Sequence, residues 1–93
     1  MDSIIPETCR AARALIGWSQ EDLSREARIA VSTLRNFETK TISPRTGETI
    51  RLTRGNLLNI QRALESAGVV FIPENGGGPG VRLAQPIPHK LAA

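Results

Sequence analysis

The chain has 93 residues, 12 basic against 9 acidic for a formal net charge of +3, with one cysteine and one histidine. That length holds one compact domain and a trailing segment, and the lone Cys9, far from His89, excludes an intramolecular disulfide and any Cys/His metal site of ordinary ligand spacing. No apolar run approaches the roughly 20 residues of a membrane span and Met1 to Pro6 lacks the pattern of a signal peptide, so the expectation is a cytoplasmic protein without metal, cofactor or membrane partner.

The first predicted element runs from Glu7 to Ile16, where Cys9, Ala12, Leu15 and Ile16 recur at helical spacing, Pro6 favours a start and Gly17 a stop. Ser19 is placed to cap a second, short helix with Glu21 and Asp22 in its first turn and Leu23 and Ala27 as its buried stripe. Arg28-Ile29-Ala30 interrupts the period. Val31 to Glu38 resumes it, with Leu34 and Phe37 as apolar anchors and Val31, Ser32, Arg35 and Asn36 left on other faces.

Thr39 to Leu52 has no convincing period and reads as a long loop, with a short extended piece allowed at Glu48 to Leu52. Thr53 then caps a fourth helix whose stripe is Leu57, Ile60, Leu64 and Ala67, stopped by Gly68. Val69-Val70-Phe71-Ile72, a glycine-rich turn and Val81-Arg82-Leu83 read as a β-hairpin, which is marginal alone and must lie on the helices or pair with another chain. The organisation expected is residues 1–68 as a mainly α unit of four to five helices, 69–84 as a C-terminal β-hairpin extension, and 85–93 as a flexible tail.

The charge is unevenly spread. Residues 1–39 carry five arginines against six acids, whereas residues 40–62 carry Lys40, Arg45, Arg51, Arg54 and Arg62 against Glu48 alone, a local net of +4. Such an excess just after the third helix suits phosphates on a duplex, and equally suits a solvated loop. Nothing resembles a catalytic constellation: Gly76-Gly77-Gly78 lacks the Lys-Ser/Thr and following helix of a phosphate loop, Cys9 sits on an apolar helix face as a small core residue, and Trp18 reads as a packing residue. The chain is expected not to be an enzyme.

Two short helices joined by a tight turn, the second exposing polar residues near its start, have the geometry that presents side chains to a major groove. The run Leu15-Ile16-Gly17-Trp18-Ser19-Gln20-Glu21-Asp22-Leu23, with Ala27, Val31-Ser32-Thr33-Leu34 and Phe37-Glu38, resembles the lambda-repressor/Cro-like, or XRE-type, helix-turn-helix family over about the first 68 residues. The resemblance implies double-stranded DNA as the partner, with base readout by Val31, Ser32, Arg35 and Asn36 and backbone contacts from Ser19 and Gln20. Lys40, Arg45, Arg51 and Arg54 would grip phosphates or reach into the adjacent minor groove, phosphates being the favoured reading. It further implies a structural ion pair between Arg13 and Glu38. A stretch like Phe71 to Gly78 resembles an extension of some small bacterial members.

Two positions and one loop depart from the family pattern, the loop from Lys40 to Thr53 being longer than a minimal member requires. Arg28 stands where the turn usually has Gly, which implies backbone strain or a wider turn, and Ala30 stands where Ser or Thr usually caps the third helix, which forfeits about 1 kcal/mol or moves the start to Ser32. The function expected is a transcriptional regulator, a repressor by preference, acting as a homodimer on an inverted repeat, with Val69, Val70, Phe71 and Ile72 as the dimer element. The alternatives are a DNA-binding antitoxin or mobile-element control protein and, from another class, a module that binds a protein partner through the same scaffold.

Overall fold

A computed structural model describes residues 4–85 of the chain. Four helices are followed by two strands: α1 (Pro6–Ile16), α2 (Gln20–Ala27), α3 (Val31–Glu38), α4 (Arg54–Ser66), β1 (Val69–Ile72) and β2 (Gly80–Leu83). The architecture is mainly helical with a C-terminal antiparallel hairpin, in agreement with the reading of the sequence. The tail expected after residue 85 lies outside the described residues.

Each helix begins and ends for local reasons. Pro6 opens α1, where its missing N–H costs nothing, and the Thr8 hydroxyl reaches back to accept the Ile5 N–H at 2.9 Å. Ser19 and Asp22 form a reciprocal capping box at α2, with the Asp22 N–H on Ser19 Oγ at 3.0 Å and the Ser19 N–H on Asp22 Oδ2 at 2.9 Å. Thr53 Oγ1 accepts the Asn56 N–H at 3.1 Å at the start of α4.

The first three helices end alike. A left-handed residue follows each, Gly17 (φ 71°), Arg28 (φ 59°) and Lys40 (φ 56°), and the next N–H turns back five residues: Trp18 to Arg13 O at 2.9 Å, Ile29 to Ser24 O at 3.0 Å and Thr41 to Asn36 O at 3.0 Å. Only the first of the three is a glycine.

The core is small and shared by every element. Leu23 and Ala27 of α2, Leu34 and Phe37 of α3, Ile60 and Leu64 of α4, and Cys9 and Ala12 of α1 are buried together, joined by Ile4, Leu52 and Val69. Leu23, Leu34, Ile60 and Leu64 are fully inaccessible, each contributing about 1.5–3 kcal/mol by its transfer from water. Leu15, counted in the α1 stripe from its spacing, lies at the edge and stays exposed, since Ala12 and Ile16 already occupy the inward line.

The hairpin completes this core. The register pairs Val69 with Leu83, Val70 with Arg82, Phe71 with Val81 and Ile72 with Gly80. Alternation therefore puts Val69, Phe71 and Val81 on the inner face, where Val69 is buried and Phe71 and Val81 pack against the core. The outer face carries Val70, Ile72 and Arg82. The hairpin lies on the helices, with β2 against α1 and β1 against α4.

Residues 41–50, expected as a loop with a short extended piece allowed from Glu48, pair with one another. The Ile50 N–H bonds Thr41 O at 2.7 Å and the Ser43 N–H bonds Glu48 O at 2.8 Å, bracketing an antiparallel bridge between Ile42 and Thr49. The pairing is too short for its alternation to stand out in the sequence.

Candidate nucleic-acid interface

The second and third helices set the frame. The α2–α3 turn is tight, because Arg28 adopts the left-handed conformation outright (φ 59°, ψ 45°) and the chain accepts the strain instead of widening the turn. Ala30 is the N-cap of α3, in extended conformation and with no side-chain hydrogen bond, so the helix starts at Val31 and Ser32 remains within its first turn as a side chain free to face outward. At about 100° per residue Val31, Arg35, Ser32 and Asn36 fall within one arc of about 140°. Ser32 and Arg35 are exposed and Val31 and Asn36 half-buried, whereas Leu34, Phe37 and Glu38 on the opposite arc are buried.

One carboxylate ties the frame together. Glu38, 1% exposed at the end of α3, takes Arg13 in two parallel bonds, Nη2 to Oε1 at 2.6 Å and Nε to Oε2 at 2.9 Å. Gln20 Nε2, at the first position of α2, adds a bond to Oε1 at 3.0 Å, and the Cys9 thiol one to Oε2 at 3.0 Å. Arg10, one turn before Arg13, donates to the Glu38 backbone carbonyl, where a cation meets the negative end of the α3 dipole. Arg13 also reaches the Trp18 carbonyl at 3.1 Å.

This network fixes the ionisation of its members. Burial pushes the Glu38 carboxyl upward, but the donors Arg13, Cys9 and Gln20 outweigh it and hold the group below the usual carboxylate range. Burial and then the Glu38 charge push the Cys9 thiol well above its ordinary value. The Arg13 guanidinium is held still more firmly protonated by its bonds to Glu38. The roles of Cys9 and Arg10 here were missed from the sequence; the spacing of Cys9, Arg10 and Arg13 over one turn of α1 was the available signal.

The basic residues after α3 divide. Arg45, Arg51 and Arg54 are exposed, with no carboxylate within 4.0 Å among the described residues. Lys40 differs, because its ammonium pairs with Glu7 on α1, which draws the Glu7 carboxyl below its ordinary range. Ser19 Oγ already accepts the Asp22 N–H, and its O–H remains to donate to a phosphate oxygen.

A short first helix, a tightly turned pair with an exposed polar arc on its second member, and a buried carboxylate locking the three together make one recognisable unit. A family model described as helix-turn-helix matches residues 10–54, from the middle of α1 through α2 and α3 to the first residue of α4. This segment is similar to the XRE-type helix-turn-helix family. No curated protein matches the sequence.

Helix-turn-helix proteins of this type are DNA-binding transcription regulators. Among the described residues of this one, no helix is long and apolar enough to cross a membrane and no cluster of three metal-ligating side chains occurs. Outside the matched segment lie the start of α1, nearly all of α4 and the hairpin.

Proposed function

We propose that this helix-turn-helix protein is a sequence-specific repressor that binds duplex DNA as a homodimer on an inverted repeat in the cytoplasm. The observation that carries the reading is the arc of α3: four side chains with hydrogen-bonding or methyl-packing capacity, turned outward from a helix whose other side is locked into the core. An α-helix fits a major groove about 12 Å wide, and these side chains suit its edges. Arg35 bonds guanine O6 and N7 in bidentate fashion, Asn36 pairs with adenine, Val31 packs on a thymine methyl and Ser32 bonds either kind of base.

Ser19, Gln20, Arg51 and Arg54 hold the phosphates on either side. Gln20 has a second N–H to offer beyond the one on Glu38, so it braces α3 and touches the backbone together. Lys40 joins them by exchanging Glu7 for a phosphate; the pair is solvent-exposed and screened by water, so the exchange is cheap.

Dimerisation falls to the C-terminal hairpin. Val69 and Phe71, expected within the dimer element, are taken up by the protomer's own core, which leaves Val70 and Ile72 on the outer face and the backbone edge of β1 for a second copy. A DNA-binding antitoxin or a mobile-element control protein would use the same residues, and co-purification with a second protein separates those readings from a free-standing repressor.

Selection of bound duplexes from a random pool tests the proposal, with Arg35→Ala run beside the wild type at one salt concentration. An inverted repeat that loses discrimination at one symmetric position in the variant is the expected result. Recovery of no motif would overturn it and favour a protein partner on the same scaffold.

A further inference from the structure

The ion pair between Lys40 and Glu7 joins the end of α3 to the start of α1. The backbone fixes where Lys40 starts from: the residue takes the left-handed conformation (φ 56°), its N–H bonds Phe37 O at 3.2 Å, and the Thr41 N–H returns to Asn36 O at 3.0 Å. Glu7 lies in the first turn of α1, where the positive end of the helix dipole favours an anion. The bond from Lys40, and more weakly the charge of Arg10 one turn along, keep its carboxyl ionised. The Arg10 guanidinium itself is engaged on the Glu38 backbone carbonyl.

Both partners are open to water, with side chains 53% and 50% exposed. An outside anion can therefore reach the ammonium, and phosphate oxygens are acceptors of the same kind as a carboxylate. Lys40 differs in this from Arg45, Arg51 and Arg54, which face no carboxylate within 4.0 Å among the described residues. Those three bring uncompensated charge to a duplex, whereas Lys40 brings its own counter-charge. Cys9 and Ala12 pack α1 into the core, so Glu7 stays beside the phosphate to which it has given way.

We propose that Glu7 is a built-in competitor for the phosphate that Lys40 takes, so that the protein holds every duplex more loosely, and with a shallower salt dependence, than its basic residues alone would give. The inference rests on the duplex-binding reading above and on the place of Lys40 in it. A lysine that neutralises a phosphate releases the cation condensed there, which adds about 0.9 to the slope of log K against log salt. The carboxylate left behind gathers a cation from solution and cancels that release. The outcome is a weaker grip on bulk DNA with no change at the side chains of α3. A Glu7 that serves only to stabilise the start of α1 predicts the opposite, since a loosened fold binds less.

The test titrates the full chain, at several salt concentrations, on the duplex selected above and on an unrelated duplex of the same length. Glu7→Gln is expected to bind both more tightly than wild type and with a slope steeper by about 1, so that its advantage shrinks about 3-fold between ~50 and ~200 mM salt. The bases it selects should be those of wild type. In a Lys40→Met background the same substitution should change neither affinity nor slope. Glu7→Gln binding no more tightly than wild type overturns the inference and marks the acid as a stabiliser of α1. A gain that survives in Lys40→Met overturns it too, as an effect of total charge. A wild type that selects no duplex at all fails the function reading as well.

Discussion

The Cys9 thiol and the Arg13 Nε group converge on the same oxygen of Glu38, Oε2, from successive turns of α1 at 3.0 and 2.9 Å. The carboxylate is thereby saturated from α1, while Gln20 approaches its other oxygen from α2. Removing Glu38 would strand a cation and a thiol, and removing Arg13 would strand a buried anion. Arg13→Ala and Glu38→Ala are each expected to cost about 3–5 kcal/mol in urea unfolding. The double replacement Arg13→Met with Glu38→Leu should be less destabilised than either single variant; a double variant worse than both would show that the charges are favourable in their own right.

The same carboxylate makes stability depend on acid. Its pKa is depressed in the folded state, so the folded protein holds fewer protons there than the unfolded chain in the acidic range. The stabilisation is complete above the unfolded carboxylate value of about 4.3 and is lost as pH falls through the lower folded value. Urea midpoints measured from pH 7 to pH 3 should fall across this acidic window in wild type and fall less steeply in Glu38→Gln. Parallel curves for the two proteins would contradict the assignment.

Cys9 is inaccessible and its thiol is pushed up by burial and by the adjacent anion, so little thiolate forms at neutral pH. Alkylation by iodoacetamide at pH 8 is expected to proceed only through opening of the domain, slowly without denaturant and rapidly in its presence. Fast modification of the native protein would place the thiol at the surface.

The turn between α2 and α3 carries two local costs. Arg28 holds a left-handed conformation that an L side chain resists, and Ala30 leaves α3 without a side-chain cap. Arg28→Gly and Ala30→Ser should each raise stability by about 1 kcal/mol, seen as a higher thermal midpoint. Neither lies among the side chains proposed to read bases, so the selected DNA motif should be unchanged.

Arg35 and Arg54 are both exposed arginines, but they should fail differently. Loss of Arg35 is expected to cost about 1–3 kcal/mol at a single base pair, and loss of Arg54 to weaken binding to every sequence alike and reduce the salt slope by about 1. Titrations of the two alanine variants at several salt concentrations distinguish these effects; interchangeable profiles would dissolve the division between base and backbone contacts.

Much of the fold was legible because its signals are local. Ser19 and Thr53 precede amphipathic runs as caps, Gly17 and Gly68 stop them, and the spacing of Leu34 and Phe37 reveals which side of α3 turns inward. What could not be read depends on tertiary placement. Nothing in a lone Lys40 announces a left-handed backbone, since that conformation is imposed by the bond from Thr41 back to Asn36. Of the pairing within residues 41–50, only the extended piece from Glu48 was anticipated, because one bridge is too short for a period. The hairpin's two faces look equally apolar in Val69 to Ile72, and only its seat on α1 and α4 decides that Val69 and Phe71 turn inward. For the candidate site, the outward arc of α3 follows from the helical spacing of its apolar anchors, whereas the joining of Cys9 and Arg10 to Glu38 spans separate helices, and spacing along α1 shows only that they share a turn with Arg13.

Because Val69, Phe71 and Val81 complete the same core as Leu23 and Leu34, the self-sufficient folding unit does not end where the helices do. A fusion joint or truncation placed at Gly68 would peel away one wall of the hydrophobic interior. The smallest portable version of this DNA reader, transplanted as a cassette into another polypeptide, therefore has to carry its C-terminal ribbon with it.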